Sequence, residues 1–300
     1  MEDIRTIKLI SDTGKEVEIS EDSASFVLDQ DGLDLGSVSG THNMTQYIDL
    51  IGQHLDSTVL SPRDISIIGW VIGDSLSDIN KNKTLLNKLV NPMFGVKLEI
   101  GDYALDFVPD SSVQYSTEWN YNNSYMCKFQ IQGTAPMPLF RLKDYNTFRE
   151  NVEQTSDFHF PLVIPKDTGV KFGYYPFESV RNMPNDGDVA SGMVITLTAG
   201  QTNLINPKIV NETTGASIEF EYTLIAGNSL IINTELGNQS VTLLEGSVES
   251  NAIKYMTIDS DIDMTLALGF NKLMVYADSG EDDIELNVEF SPRFLEVQGR

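Results

Sequence analysis

Strict alternation of apolar and polar residues, repeated along the chain, is what most constrains its fold. From Ser217 to Leu224 the apolar set is Ile218, Phe220, Tyr222 and Leu224, and the polar set is Ser217, Glu219, Glu221 and Thr223. From Ile284 to Phe290, Ile284, Leu286, Val288 and Phe290 alternate with Glu285, Asn287 and Glu289. A period of two puts each set on its own face of a sheet, one dry and one wet. From Gly192 onward the pattern predicts eight strands: Met193–Thr198, Lys208–Val210, Ser217–Leu224, Ser229–Ile232, Ser240–Leu244, Lys254–Ile258, Lys272–Tyr276 and Ile284–Phe290. Glycine turns separate them at Gly215, Gly227, Gly237, Gly269 and Gly280. Short, evenly spaced strands with such turns are the signature of a β-sandwich.

The first half is also strand-rich. Arg5–Ile10 and Lys15–Ile19 read as a hairpin about Asp12-Thr-Gly. Glu21–Gly40 is rich in Asp, Gly and Ser and reads as loop. Ile65–Gly73 is an apolar, β-prone run expected as a buried strand with Trp70 in the core. One helix is predicted near 77–90. Ser77 or Asp78 would cap it, Ile79, Leu86, Leu89 and Val90 form its apolar stripe, and Asn91-Pro92 stops it. Val96–Ile100 and Tyr103–Val108 form a second hairpin, and Tyr125–Ile131 is an alternating strand with Cys127 on its core side. Six of the eleven prolines fall between Pro136 and Pro184, where periodicity is poor apart from a short helical piece near Tyr145–Val152. That stretch reads as a connector. With 300 residues, two domains are expected. The first spans 1–150, and the second spans 151–300, a connector followed by strands from about 192.

Charge narrows the partners. The net charge is −24, and it is not confined to a tail: up to Glu150 there are 22 acidic and 12 basic residues, and after it 22 and 8. Specific nucleic-acid binding needs clustered Lys and Arg to neutralise phosphate, and no run supplies them. An anionic membrane surface is disfavoured for the same reason. No stretch approaches the ~18 apolar residues of a spanning helix. The acidic N-terminus, Met1-Glu-Asp-Ile-Arg, does not read as a signal peptide.

Catalytic chemistry finds no foothold. The one cysteine, Cys127, excludes an internal disulfide and a Cys-rich zinc site, and it has no activating partner in the sequence. His42, His54 and His159 are scattered, with no second ligand at strand or helix spacing. Nucleophile elbows, phosphate loops and dinucleotide fingerprints do not occur. Asp259-Ser-Asp-Ile-Asp imitates the start of a calcium loop, but Met264 stands where its glycine belongs and Phe270 where its glutamate belongs. Catalytic, cofactor-binding and metal-binding residues are all expected to be none. Trp119, in Thr117-Glu-Trp-Asn-Tyr-Asn-Asn, lies in a polar context, either as an exposed contact residue or as a hairpin anchor.

The order of these pieces resembles the distal tail (Dit) proteins of bacteriophages. Asp64-Ile-Ser-Ile-Ile-Gly-Trp-Val-Ile-Gly followed by Lys83-Thr-Leu-Leu-Asn-Lys-Leu-Val-Asn-Pro is similar to the family's N-terminal strand and helix. Phe129-Gln-Ile-Gln-Gly-Thr-Ala-Pro sits at the strand that leads into an Asn-Pro-aromatic motif, replaced here by Met137-Pro-Leu-Phe. Phe158-His-Phe-Pro-Leu-Val-Ile-Pro resembles the aromatic-Pro connector. Gly227–Thr234, Ser240-Val241, Thr257–Ser260 and Leu266–Leu273 resemble the C-terminal sandwich. Asp29–Val59 departs from the pattern.

The resemblance implies a mainly β fold: an N-terminal split β-barrel related to tail-tube proteins, with one helix, and a C-terminal galectin-like β-sandwich. It implies a structural adaptor, not an enzyme, in the virion at the distal end of the tail (baseplate), made in the host cytoplasm. The implied partners are five. They are five further copies of the chain in a homohexameric ring, the major tail tube protein, the hub or fibre protein, a receptor-binding protein and the tape measure protein. An acidic ring lumen would let DNA slide through without holding it. The competing reading is a carbohydrate-binding module contacting the host cell wall, and a third is a wall-degrading enzyme.

Overall fold

The structure is a computed structural model, and it describes residues 6–48, 51–143, 146–151, 180–280 and 283–297. The chain divides into two compact units: Met1–Lys143 with Phe294–Arg300, and Asp144–Arg293. Among the described residues no helix is long and apolar enough to cross a membrane.

In the first unit the strands run in the order Glu16–Ile19, Ile7–Ser11, Val96–Ile100, Tyr103–Pro109, Met126–Ala135, Arg63–Ile72 and Phe26–Asp34. Every neighbouring pair is antiparallel. The sheet curls until its two ends meet at one parallel bridge, Ser20 to Val27. It is not a closed barrel. Alternation decides which face is dry: Ile65, Ile67 and Val71 of one strand and Cys127, Phe129 and Ile131 of its partner all point into one core. Gly69 lies opposite Phe129, and a Cβ there would sit 2.8 Å from the ring, so the phenyl group covers the glycine.

The helix α1, Leu76–Leu89, closes that core with Ile79, Leu86 and Leu89. Its cap is Ser75, two residues earlier than Ser77: the Ser75 hydroxyl accepts from the Asp78 amide at 3.2 Å and donates to the Asp78 carboxylate at 2.7 Å.

Two expectations for this half fail. Glu21–Gly40 is not loop throughout, because Phe26–Asp34 is a strand paired with Arg63–Ile72. Its register shifts between Leu28 and Leu33, and that bulge, carrying Asp29–Gly32, breaks the alternation that would have betrayed it. Trp70 is not a core residue. It lies on the outer, half-buried face, with Tyr121 at 5.8 Å between ring centroids.

Arg63 is buried to 2% exposure. Its guanidinium donates from Nε to Pro138 O at 2.8 Å, from Nη1 to Leu35 O at 3.2 Å, and from Nη2 to Leu295 O. Phe140 covers it, 4.7 Å from the ring centroid. Burial pushes its pKa down, with Glu296 pulling the other way. One planar fork thereby ties together backbone from three distant segments. Phe294, two residues after the end of the last long strand and its turn, packs edge-on against Tyr103 at 5.4 Å.

The second unit is a sandwich. One sheet runs Asn146–Asn151, Ile284–Phe290, Val194–Ala199, Ser229–Asn233, Ser240–Glu245, Val248–Asn251. The other runs Val180–Asn185, Gly269–Tyr276, Lys208–Asn211, Ser217–Glu219. Ile195, Leu197, Leu230, Leu286 and Val288 of the first meet Ile209, Ile218, Leu273 and Val275 of the second in one core.

Three corrections apply here. The helical piece near Tyr145–Val152 is instead the strand Asn146–Asn151; Tyr145 and Val152 lie outside the described residues. Lys254–Ile258 is not a strand: Ile253–Tyr255 is a 3-10 turn, and only Met256 bridges, to Phe220. Ser217–Leu224 is interrupted, with Ser217–Glu219 and Thr223–Leu224 joining different sheets. The aromatic-Pro connector Phe158–Pro165 lies outside the described residues.

The segment that imitates a calcium loop does other work. The Asp261 carboxylate accepts from the Ser217 amide at 3.0 Å, and the Ser260 hydroxyl accepts from the Glu219 amide at 2.9 Å. These contacts cover the edge strand Ser217–Glu219. The residues that follow are fastened by three buried asparagines. Asn211 donates to Thr265 O, Asn185 to Leu266 O, and Asn271 to Ala267 O at 2.7 Å.

Arg63→Ala should lower the stability of the first unit by about 3 kcal/mol, because it leaves buried carbonyls without a donor. Arg63→Lys should recover only part of it, since an ammonium lacks the fork. Urea unfolding followed by tryptophan fluorescence checks both; equal stability of Arg63→Ala and wild type would refute the assignment.

Candidate functional site: an exposed hairpin and an aromatic cleft

The first unit carries a hairpin that, among the described residues, buries no side chain of either strand. Gly40–Thr45 pairs antiparallel with His54–Leu60, and every residue of both strands is exposed. Among the described residues neither strand pairs with a third. Polar cross-strand bonds hold the ladder: His42 Nδ1 with Thr58 Oγ1 at 2.9 Å, Asn43 Nδ2 donating to Ser57 Oγ at 2.9 Å, and Thr45 Oγ1 donating to Asp56 Oδ2 at 2.5 Å. The register slips between Asn43 and Met44.

An isolated two-stranded hairpin is marginal in water. This one also displays Met44, Tyr47, Leu55 and Val59, with Ile48 and Ile51 at 102% and 108% exposure. It is almost free of charge: from Gly36 to Ser61 the only ionised side chains are Asp49 and Asp56. The histidines taken as scattered are partly brought together, since His42 and His54 share this hairpin while His159 lies outside the described residues. No group of three or more His, Cys, Asp or Glu among the described residues could hold a metal.

A second surface lies on the outer face of the curled sheet. Val27, Trp70 and Lys128 form one cross-strand row. Lys128 Nζ pairs with Asp29 Oδ2 at 2.5 Å and sits 5.3 Å from the Trp70 ring and 5.8 Å from Tyr121. Above this row runs the loop 116–125, held by the Tyr121 carbonyl, which accepts from the Lys128 amide at 2.7 Å, and by Asn123, which accepts from the amides of Tyr125 and Met126. The loop is fixed, yet Trp119 is 81% and Tyr125 66% exposed. They flank a cleft of about 470 Å³ whose floor is Ile72 and Met126. Trp119 is thus exposed and is not a buried hairpin anchor. From Ser111 to Cys127 the only charged side chain is Glu118.

On the same unit, Tyr115 is half-buried and donates to Lys83 O at 3.2 Å and Asn87 Oδ1 at 3.1 Å, which moors the sheet to the helix. Burial pushes its hydroxyl pKa up. What both surfaces can do is exclude water against a partner.

The hydrogen bond from Lys128 holds the Asp29 carboxyl below its ordinary value of 3.8. A depressed carboxyl pKa adds stability that is present above the unfolded value and is lost as pH falls through the folded one. Asp29→Asn should therefore lower the melting temperature at pH 7 and leave it equal to wild type near pH 2. A difference that persists unchanged in acid would assign it to packing instead.

Residues 186–294 match the family described as siphovirus-type tail component, C-terminal domain. No curated protein sequence matches the chain significantly. Among solved structures, the chain is similar to the Dit protein of phage SPP1, described as a paradigm of the hub adsorption apparatus in phages that infect Gram-positive bacteria. The identity is 12%, the coverage 96% of this chain and 99% of that one, and the TM-score 0.63. A chain of the phage p2 baseplate in its activated conformation with strontium is similar at 12% identity, over 96% and 98% of the two chains, with a TM-score of 0.50. At such identity the likeness is one of fold, and it extends over both units. Residues 186–294 match the siphovirus-type tail component C-terminal domain, and the chain as a whole is similar in fold to the SPP1 Dit protein.

Proposed function

We propose that this chain is the ring-forming adaptor at the distal end of the tail, with six copies joining the tail tube to the hub or fibre and to receptor-binding proteins. The first unit makes the ring and the second projects as a platform for fibre or receptor-binding parts. The observation that carries the reading is a hairpin with every strand residue exposed, in a chain whose length is matched end to end by a tail hub protein. Six-fold closure consumes such surfaces, because each copy offers one to its neighbour and accepts one in return. The tube, hub, receptor-binding and tape measure proteins are the partners this position brings. The chain would be made in the host cytoplasm before it enters the virion. A charge of −24 per copy suits a lumen that DNA traverses without sticking.

Multi-angle light scattering across a concentration series, alone and with co-expressed tail proteins from the same genome, should show six times the chain mass. A monomer under all those conditions would overturn the ring.

A further inference from the structure

We infer that the hairpin of one copy docks its apolar tip, Ile48 and Ile51, into the Trp119–Tyr125 cleft of the next copy. The inference rests on the ring reading above and names the surfaces that would close it. Three observations carry it. First, among the described residues both surfaces are left exposed and lie on the same unit: the hairpin displays apolar side chains it does not bury, and the cleft is lined by Trp119, Tyr125, Ile72 and Met126 with Asn123 and Ser124. Second, copies that each carry −24 repel, so self-association must use patches poor in charge. Gly36–Ser61 holds two ionised side chains and Ser111–Cys127 holds one, in a chain where 21% of residues are charged.

Third, the shapes differ in kind. A projecting finger and a recess on one chain allow head-to-tail pairing, which generates a ring where the rotation closes, and light scattering separates six copies from a reciprocal two-copy exchange. A buried aromatic anchor in a pocket, with near-neutral contacts around it, is also how interface energy concentrates. The two cations beside the loop are both engaged: Lys128 pairs with Asp29 and lies against the rings of Trp70 and Tyr121, and Lys83 donates to Asn122 Oδ1 at 3.4 Å, and neither lines the cleft.

The test uses full-length chains with one new cysteine each; Cys127 is fully buried and stays as it is. Ile51→Cys and Trp119→Cys proteins carrying different tags are mixed and mildly oxidised. A mixed disulfide between the two tags is expected, at least ten-fold above either homotypic dimer. Ile51→Asp and Trp119→Ser, both at exposed sites, should each weaken oligomer formation at least ten-fold, with a melting temperature equal to wild type when both are compared as dilute monomers.

An oligomer that forms without the mixed disulfide, and is indifferent to both substitutions, overturns the docking and leaves the ring standing. A monomer under every condition overturns both. Selective binding of host-wall glycan that Trp119→Ser abolishes, with the oligomer intact, gives the cleft to sugar and overturns the docking as well.

Discussion

A single buried guanidinium organises the first unit. Arg63 begins the ten-residue strand Arg63–Ile72, and its donors reach the carbonyls of residues 35, 138 and 295. A cation taken out of water needs compensating partners, and here three backbone carbonyls and the face of Phe140 supply them. The consequence is topological. The chain leaves this unit after Lys143 and re-enters it at Phe294, and the carbonyl of Leu295 is one of the three that Arg63 holds. An ion pair with one carboxylate would have fixed one segment. A fork with carbonyl partners fixes three, and it leaves charge out of the arrangement, which matters in a chain already so acidic.

The period-two pattern was legible wherever a strand was regular. Ile284–Phe290, the terminal hairpin Ile7–Ile19 and the pair Val96–Pro109 lie where alternation placed them. It failed where a bulge or a turn interrupts the period. Phe26–Asp34 hides behind Asp29–Gly32, and Lys254–Ile258 has a strand's composition but bends at Ala252 into a 3-10 turn. The helix cap was misplaced because Ser75, Ser77 and Asp78 all have the chemistry, and only geometry selects the one whose oxygen faces the first turn. Arg63 was invisible: nothing in the residues around an arginine says that three distant carbonyls converge on it.

The candidate site was less legible still, and for a physical reason. Interaction surfaces leave no spacing signature, since their residues are defined by what fails to bury them. Trp119 signalled itself by standing among asparagines. The hairpin Gly40–Leu60 did not, because an exposed ladder of Thr, Ser, Asn and His is chemically indistinguishable from a polar loop. One signal was available: the lack of charge from Gly36 to Ser61, against a background that is acidic in both halves.

That background also explains how the edges are distributed. In the sandwich, the edge strand Ser217–Glu219 is covered by the loop of Thr257–Asp261, which removes it as a template for foreign strands. In the first unit, the hairpin keeps its outer edges bare. The two solutions sit in one chain, so bareness is not a general property of the fold. A bare hairpin that is marginal alone gains its order from what it meets, and self-repulsion at −24 restricts that meeting to the few places where charge is absent. Folding of the hairpin and assembly of the copies then become one coupled step: high ionic strength, which screens the repulsion while leaving apolar contact intact, favours both together.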